Sequence, residues 1–452
     1  MASQENADVE IFVLERDLRS IRIFRNEVVE AQDMVEEGIA IRVFKDGSMG
    51  FSITNIGERD QLLRAFKSAL RMARSSNKIP NWSHLPKSDD SRHSLPLHLC
   101  DKKLAASTPE EVVDLALRMT KRLNSHEEIA YSLTGVLMVL SEKFSILNSY
   151  GLEHLSEPSS ILHSRVIVET KRSEKYSVGI NQFSTRKLSE FKPEEETNKA
   201  ISMASEVSGL PEKPISNGRC DLILAPEALG GFISNLVSPM ITGTSTKMGV
   251  SCFTGMLNKV IATDSFSLID DGKLEDGLGS ASVDDEGNPT RSTTIIEKGV
   301  LKNFLYDAIT ACQAGASSTG NAKRTSETLG RAYLTPPEPL PNNLIVKIGD
   351  YSTDELIQET SKGVLINSID YAFPLVPERG YFNMTSSFPA FIIEDGQIVG
   401  HAQNIATSGV LSEVLMKIRG VGKHTRQSIN VGSLVTTCPH LKIEDVAFSK
   451  SA

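Results

Sequence analysis

The sequence predicts an α+β fold in two parts. Residues 1–210 read as an α+β domain, an antiparallel sheet with helices, and residues 211–452 as a mostly antiparallel β domain with a few helices. Three observations carry this reading. Short alternating apolar runs crowd residues 9–54 and give way to helical spacing at 58–74. Gly209-Leu210-Pro211 then breaks a helix that begins at Pro193. Beyond the break, an apolar–turn–apolar pattern recurs at Ile269–Leu274, Ile295–Leu301 and Ile392–Ile398, each with a glycine where two apolar runs meet, as hairpins require.

In chain order, Val9–Leu14, Ile21–Phe24, Val28–Ala31, Ile39–Phe44 and Met49–Ile53 are strand candidates, with Lys45-Asp46-Gly47 a tight turn before the last. Leu62, Leu63, Phe66, Ala69, Leu70 and Ala73 recur at intervals that give a helix one apolar face for covering that sheet. Residues 76–107, with Pro80, Pro86, Pro96 and the only tryptophan, Trp82, have no periodicity and read as a surface connection. Thr108 caps a helix that opens Pro109-Glu110-Glu111. Ile129–Leu140, Phe144–Leu147, Val166–Glu169 and Tyr176–Asn181 continue the sheet, with Asn148-Ser149-Tyr150-Gly151 a turn.

The second part opens with the most informative stretch in the chain. Leu222–Ala225 is a short aliphatic run, as in a strand buried on both faces, and Pro226 follows where a helix tolerates a residue lacking an amide hydrogen. Glu227 falls in the first turn, at the positive end of the helix dipole. Leu229, Phe232, Ile233, Leu236, Val237 and Met240 give this 227–240 helix one core face. Thr242–Lys247 reads as a polar loop, Val260–Ile269 as an apolar segment, Gly409–Ile418 as a helix and Pro439–Val446 as a closing strand.

Composition narrows the function. A net charge of −9 offers no overall basic field for nucleic acid. Five scattered cysteines without a CxxC pair are those of a reduced, cytoplasmic protein, and the polar start with only a short apolar run predicts neither signal peptide nor membrane span.

The strand and helix at 220–240 resemble the nucleating segment of the TldD/TldE (PmbA, modulator of DNA gyrase) family of zinc metalloproteases. In the TldD branch this helix opens His-Glu-Ala-x-Gly-His, with two zinc-binding histidines and a general-base glutamate. Laid onto this chain, Glu227, Ala228 and Gly230 are retained, whereas the histidines fall on Pro226 and Gly231. Neither residue has a donor atom, and a catalytic zinc usually has three protein ligands and an open position for water. The chain is therefore similar to the TldE branch, with Glu227 a relic of the catalytic glutamate. Asn148-Ser149-Tyr150-Gly151, Asp284-Asp285-Glu286-Gly287, Ser318–Arg324 and Pro439–Val446 extend the resemblance over most of the chain.

The resemblance implies a TldE/PmbA-like, non-catalytic subunit that binds no cofactor itself. Its expected partners are a TldD-type zinc subunit, a second copy of itself, or both, acting on small unstructured peptides. The alternatives are an autonomous metallopeptidase with a rearranged site built from Glu227, Cys438 and a histidine, or a non-hydrolytic homodimeric peptide-binding protein. Asn321, Lys323 and Arg324 form a polar, cationic turn, either solvated or orienting backbone carbonyls or a peptide carboxylate near the cleft. Cys438 reads as a packed thiol, and His401, His424 and His440 lack metal-site spacing. His126–Tyr131 misses the zinc-motif histidine spacing, and Gly420–Thr425 lacks the hydroxyl residue that must follow a P-loop lysine.

Overall fold

A computed structural model describes residues 2–55, 57–87, 98–121, 130–172, 175–215, 217–326, 328–430 and 433–450. Strands β1 (Asp8–Phe24), β2 (Glu27–Lys45), β3 (Ser48–Thr54), β4 (Ala130–Asn148), β5 (Glu153–Leu155), β6 (Ser159–Arg172) and β7 (Lys175–Thr185) form an antiparallel sheet in the order β3-β2-β1-β4-β6-β7, with β5 on β4. Runs that look separate in the sequence fuse into long strands: β1 has 17 residues, and β2 and β4 have 19 each. The charges that seemed to interrupt β1 are paired across the ladder. Arg16, Arg19 and Arg22 stand directly opposite Glu36, Asp33 and Glu30 and form ion pairs with them. The turn at Asp46-Gly47 is as expected, both residues taking positive φ between β2 and β3.

Both faces of this sheet are covered. On one, Ile41 and Val43 pack against Phe66, Ala69 and Leu70 of the Arg59–Ser75 helix, and Leu133, Leu137 and Val166 against the Pro109–Lys121 and Pro193–Gly209 helices. On the other, Phe12 and Leu14 meet Val283, and Leu18 and Leu140 meet Leu278, Leu329 and Ile429. The 76–107 connection is partly structured: Trp82 stacks on Phe44 at 4.2 Å, and Lys102–Ala105 is a turn of helix capped by Asp101.

The remaining strands are β8 (Gly218–Leu224), β9 (Leu268–Asp271), β10 (Ser292–Glu297), β11 (Val300–Leu301), β12 (Ala322–Lys323), β13 (Glu338–Pro339), β14 (Asn343–Val346), β15 (Lys362–Ile366), β16 (Tyr371–Val376), β17 (Tyr381–Ser386), β18 (Ala390–Glu394), β19 (Gln397–Ala402), β20 (Ile405–Val410), β21 (Ile418–Val421), β22 (Arg426–Ile429), β23 (Val435–Cys438) and β24 (Leu441–Lys450). They build a sheet β11-β10-β9-β14-β23-β22 and a larger one, β16-β17-β20-β24-β8-β15-β18-β19, with β21 on β24 and a separate β12–β13 pair. Pairing is antiparallel except between β8 and β15 and between β14 and β23.

Several expectations need correction. The hairpins at Ile295–Leu301 and Ile392–Ile398 form, but Ile269–Leu274 does not: β9 stops at Asp271 and pairs with β10 across a long loop. Asp270 explains this, since its buried carboxylate accepts from the amides of Asn342 and Asn343 and so ties β9 to the chain entering β14. The 227–240 helix is regular only over Pro226–Phe232, widens into a π turn at Ile233–Val237 and tightens into a 3₁₀ turn at Ser238–Ile241. It is also buried nearly all round, because Gly230, Gly231 and Ser234 are small residues filling interfaces where one-face periodicity suggests solvent. Thr242–Lys247 is a short helix capped by Thr242, only Leu268 and Ile269 of the Val260–Ile269 run lie in a strand, and Gly409–Ile418 resolves into the end of β20, a Leu411–Leu415 helical turn and the start of β21.

Candidate functional site

Buried strand β8, held between β24 and β15, delivers the Pro226–Phe232 helix into the space between the two C-terminal sheets and the N-terminal sheet. Ala225 is extended and Pro226 occupies the first turn, so Glu227 projects at the helix start. The Glu227 carboxylate accepts a hydrogen bond from Ser368 Oγ at 3.0 Å. Burial raises its pKa, opposed by Arg165, Arg426 and the Ser368 hydrogen bond.

Glu227 borders two clefts. One, of about 640 Å³, lies between Asn181, Lys199 and Met203 on the N-terminal side and Pro226, Arg426 and His440 on the other. The second, of about 230 Å³, is bounded by His163, Arg165, Gly231, Asn235, Ser368 and Asp370. Gln182 and Arg426 tie the halves together near both, Gln182 Nε2 donating to Ile429 O at 2.6 Å and Arg426 Nη2 to Asn181 Oδ1 at 2.8 Å.

These residues do not fit a catalytic zinc. Pro226 and Gly231 carry no donor, and a Cβ at Gly231 would lie 2.7 Å from Ile369 Cδ1. His440 shares the larger cleft with Glu227, but its Nδ1 lies 3.2 Å from Thr353 Oγ1 and no second histidine among the described residues lines that cleft. Cys438 is buried in the C-terminal core, which pushes its thiol up to about 12. His401 is mostly buried on β19 opposite Phe391, and His424 is exposed after β21. Among the described residues no three His, Cys, Asp or Glu side chains gather as a metal site. Gly230 serves packing rather than backbone flexibility: a Cβ there would meet Thr436 Oγ1 at 2.6 Å and Ser428 Oγ at 2.9 Å, on β23 and β22.

The Asn321–Arg324 segment is not a solvated turn. Asn321 and Arg324 are buried. Asn321 Nδ2 donates to Asp270 Oδ2 at 2.6 Å and to Leu340 O at 3.0 Å. Arg324 lies over the Phe12 ring and donates to Thr335 O and Glu10 Oε1 within the chain. Lys323 lines a separate cavity of about 50 Å³, which shares Leu329 and Ile429 with the smaller Glu227 cleft. The structure thus keeps Glu227 apart from Lys323 and Arg324.

Sequence reasoning missed the charge network between the halves. Arg42, fully buried, donates to Glu10 Oε1 and Oε2 at 2.9 and 2.5 Å and to Glu286 Oε1 at 2.8 Å. Arg331 binds Glu142 and Asp285. The acidic run Asp284–Glu286 was the available signal, but its partners lie far away in sequence. His126–Ile129 lies outside the described residues. Gly420–Thr425 begins within the end of β21, and its exposed Lys423 bonds through its amide to Tyr351 O.

An antiparallel N-terminal sheet packs with two C-terminal sheets around a buried helix, with clefts at the helix start. The model for the PmbA/TldA metallopeptidase C-terminal domain matches residues 217–450, and that for PmbA/TldA metallopeptidase domain 1 matches residues 9–73. The chain belongs to the TldD/TldE/PmbA metallopeptidase family. It is 25% identical over 425 residues to the metalloprotease TldD homolog of Buchnera aphidicola from Acyrthosiphon pisum, covering 91% of this chain and 84% of that one. A metalloprotease of Methanocaldococcus jannaschii is 24% identical, with 91% and 88% covered. In fold it is similar to TldE from Thermococcus kodakarensis (TM-score 0.85, 24% identity, 98% and 96% covered). The Thermotoga maritima protein described as a modulator of a DNA gyrase has the same fold (TM-score 0.84, 22% identity, 99% and 97% covered).

Proposed function

We propose that this chain is a non-catalytic, peptide-binding subunit of a TldD/TldE-type zinc metalloprotease complex in the cytoplasm, whose zinc resides in a TldD-type partner. The observation that carries the reading is the start of the Pro226–Phe232 helix. Its two metal positions hold residues without donors, and Ile369 packs where a side chain at 231 would begin, yet the clefts on either side of Glu227 remain. In this reading Arg165, Arg426, Asn181 and Ser368 offer hydrogen bonds to an extended peptide backbone. The surface the partner covers includes Tyr371, Phe373 and Leu375, exposed on one face of edge strand β16, beside exposed Tyr381. The net charge of −9 argues against nucleic acid as a ligand, and among the described residues no helix is long and apolar enough to cross a membrane.

The test is reconstitution with the TldD-type protein encoded in the same genome. The expected result is a stable heteromer whose zinc is accounted for by the partner alone, with peptide cleavage unchanged by Glu227→Gln in this chain. About one zinc in the isolated chain, with chelator-sensitive cleavage lost in Glu227→Gln, would refute the proposal in favour of the rearranged metallopeptidase.

A further inference from the structure

The cavity around Lys323 has a densely charged wall. Arg186, Lys323, Arg324 and Arg331 line it, against the carboxylates of Glu142 and Asp285. Both carboxylates are already engaged. Glu142 accepts from Arg331 Nη1 and from the Arg331 amide, and Asp285 accepts from Arg331 Nε and from the Arg324 amide. Arg324 is matched elsewhere, by Glu10. Among the described residues Arg186 donates only to neutral carbonyls, those of Gly277, Leu278, Ser280, Leu99 and Ser160. Lys323 makes no side-chain hydrogen bond or ion pair among the described residues. Lys323 and Arg186 therefore line the cavity beside two carboxylates whose hydrogen bonds Arg331 already takes.

Asp270, Asp285 and Glu142 all act on Lys323 through space without accepting a hydrogen bond from it, the Asp270 oxygens being taken by Asn321, Asn342 and Asn343. Burial, and then Arg331, lowers the Lys323 ammonium to about 8, and burial lowers the Arg186 guanidinium to about 10, as expected for cations without a dedicated counter-charge. The volume of about 50 Å³ has room for about four water molecules, hence for a carboxylate group but not for a whole residue. Arg324 also keeps a buried Nε–H without an acceptor among the described residues.

We infer that this cavity is a carboxylate-binding site, in which the ammonium of Lys323, which lines it without a hydrogen-bond partner of its own among the described residues, is the primary counter-charge and the guanidinium of Arg186 reinforces it. The carboxylate is either the C-terminus of a peptide or a small free carboxylate. The first source rests on the peptide-binding reading above, because the cavity meets the smaller Glu227 cleft across Leu329 and Ile429. The second is independent of it.

The experiment uses the full chain labelled with ¹³Cε-lysine. The Lys323 resonance is assigned by its loss in Lys323→Met, with Lys323→Arg as the assignment variant should the methionine form fail to fold. Saturating acetate is expected to raise the titration midpoint of Lys323 by about one pH unit, equivalent to about tenfold tighter binding of acetate to the charged amine. N-acetylated trialanine with a free carboxylate is then compared with its C-terminal amide. Tenfold tighter binding of the acid, lost in Lys323→Met, identifies a peptide end. Equal binding of the two, with the acetate shift intact, identifies a free small carboxylate. A midpoint unmoved by acetate, together with no preference for the acid, overturns the inference whether or not the Glu227 clefts bind peptide.

Discussion

Replacing Arg42 by methionine is expected to destabilise the protein by about 3–5 kcal/mol, through the two carboxylates that lose their partner. Arg42 is fully buried between Glu10 and Glu286, to which it makes three hydrogen bonds of 2.5–2.9 Å. Charge-assisted bonds of this kind are worth about 1.5–3 kcal/mol each, and removing the buried guanidinium returns part of that through its own desolvation. Glu10 keeps Arg324 and Glu286 keeps the Ala308 amide, which bounds the loss.

The effect should depend on pH. Burial raises Glu286 to about 7, even with Arg42 opposing, so the folded state holds its proton more tightly than the unfolded chain does. Stability from this group therefore rises as pH falls from about 7 toward the unfolded value of 4.5. Without Arg42 the folded pKa moves higher still. The loss is then largest above that pKa and shrinks as Glu286 takes up its proton. Urea unfolding can be followed by Trp82, the only tryptophan, whose ring stacks on Phe44 two residues from Arg42. A loss below about 1 kcal/mol in alkaline buffer, or an equal loss on both sides of the window, would refute the reasoning.

Three further outcomes follow from named contacts. Gly230→Ala should cost about 1–3 kcal/mol by driving a methyl into Thr436 and Ser428, whereas Gly231→Ala meets only the mobile end of Ile369 and should cost less; thermal melts of the pair compare them. Arg186→Met strands the carbonyls of Gly277, Leu278 and Leu99, which belong to different halves of the chain, and should lower stability by at least about 3 kcal/mol in urea titrations. Phe373→Glu on the exposed edge strand should shift stability by no more than about 0.5 kcal/mol while weakening association with a TldD-type subunit in sedimentation; unchanged association would place the interface elsewhere.

Legibility differed by element. Features with local causes were readable: the Asp46-Gly47 turn, the Thr108 cap with its reciprocal Glu111 bond, the β8 strand running into Pro226, and the hairpins at Lys298-Gly299 and Asp395-Gly396. Features with distant causes were not. The continuity of β1 depends on Glu30, Asp33 and Glu36 of β2, and the failure of a hairpin at Gly272 depends on the amides of Asn342 and Asn343.

The candidate site divides the same way. Glu227 and the donor-free residues at 226 and 231 can be read directly, because a motif at a helix start is contiguous in the chain. Lys323 and Arg324 read only as a cationic turn, since solvated and buried segments can share a composition. What the sequence by itself determined was the α+β class, the strand-to-helix entry at 220–232 and the absence of donor side chains at positions 226 and 231; each follows from spacing and side-chain chemistry within a few residues. What only the tertiary structure decided was the burial of that helix on nearly every side, the clefts flanking Glu227, and the placing of Arg42, Arg186 and Lys323 in the interior between the halves. The physical reason is that a charge is admitted to an interior only by its surroundings, and here those surroundings come from residues up to 244 positions away.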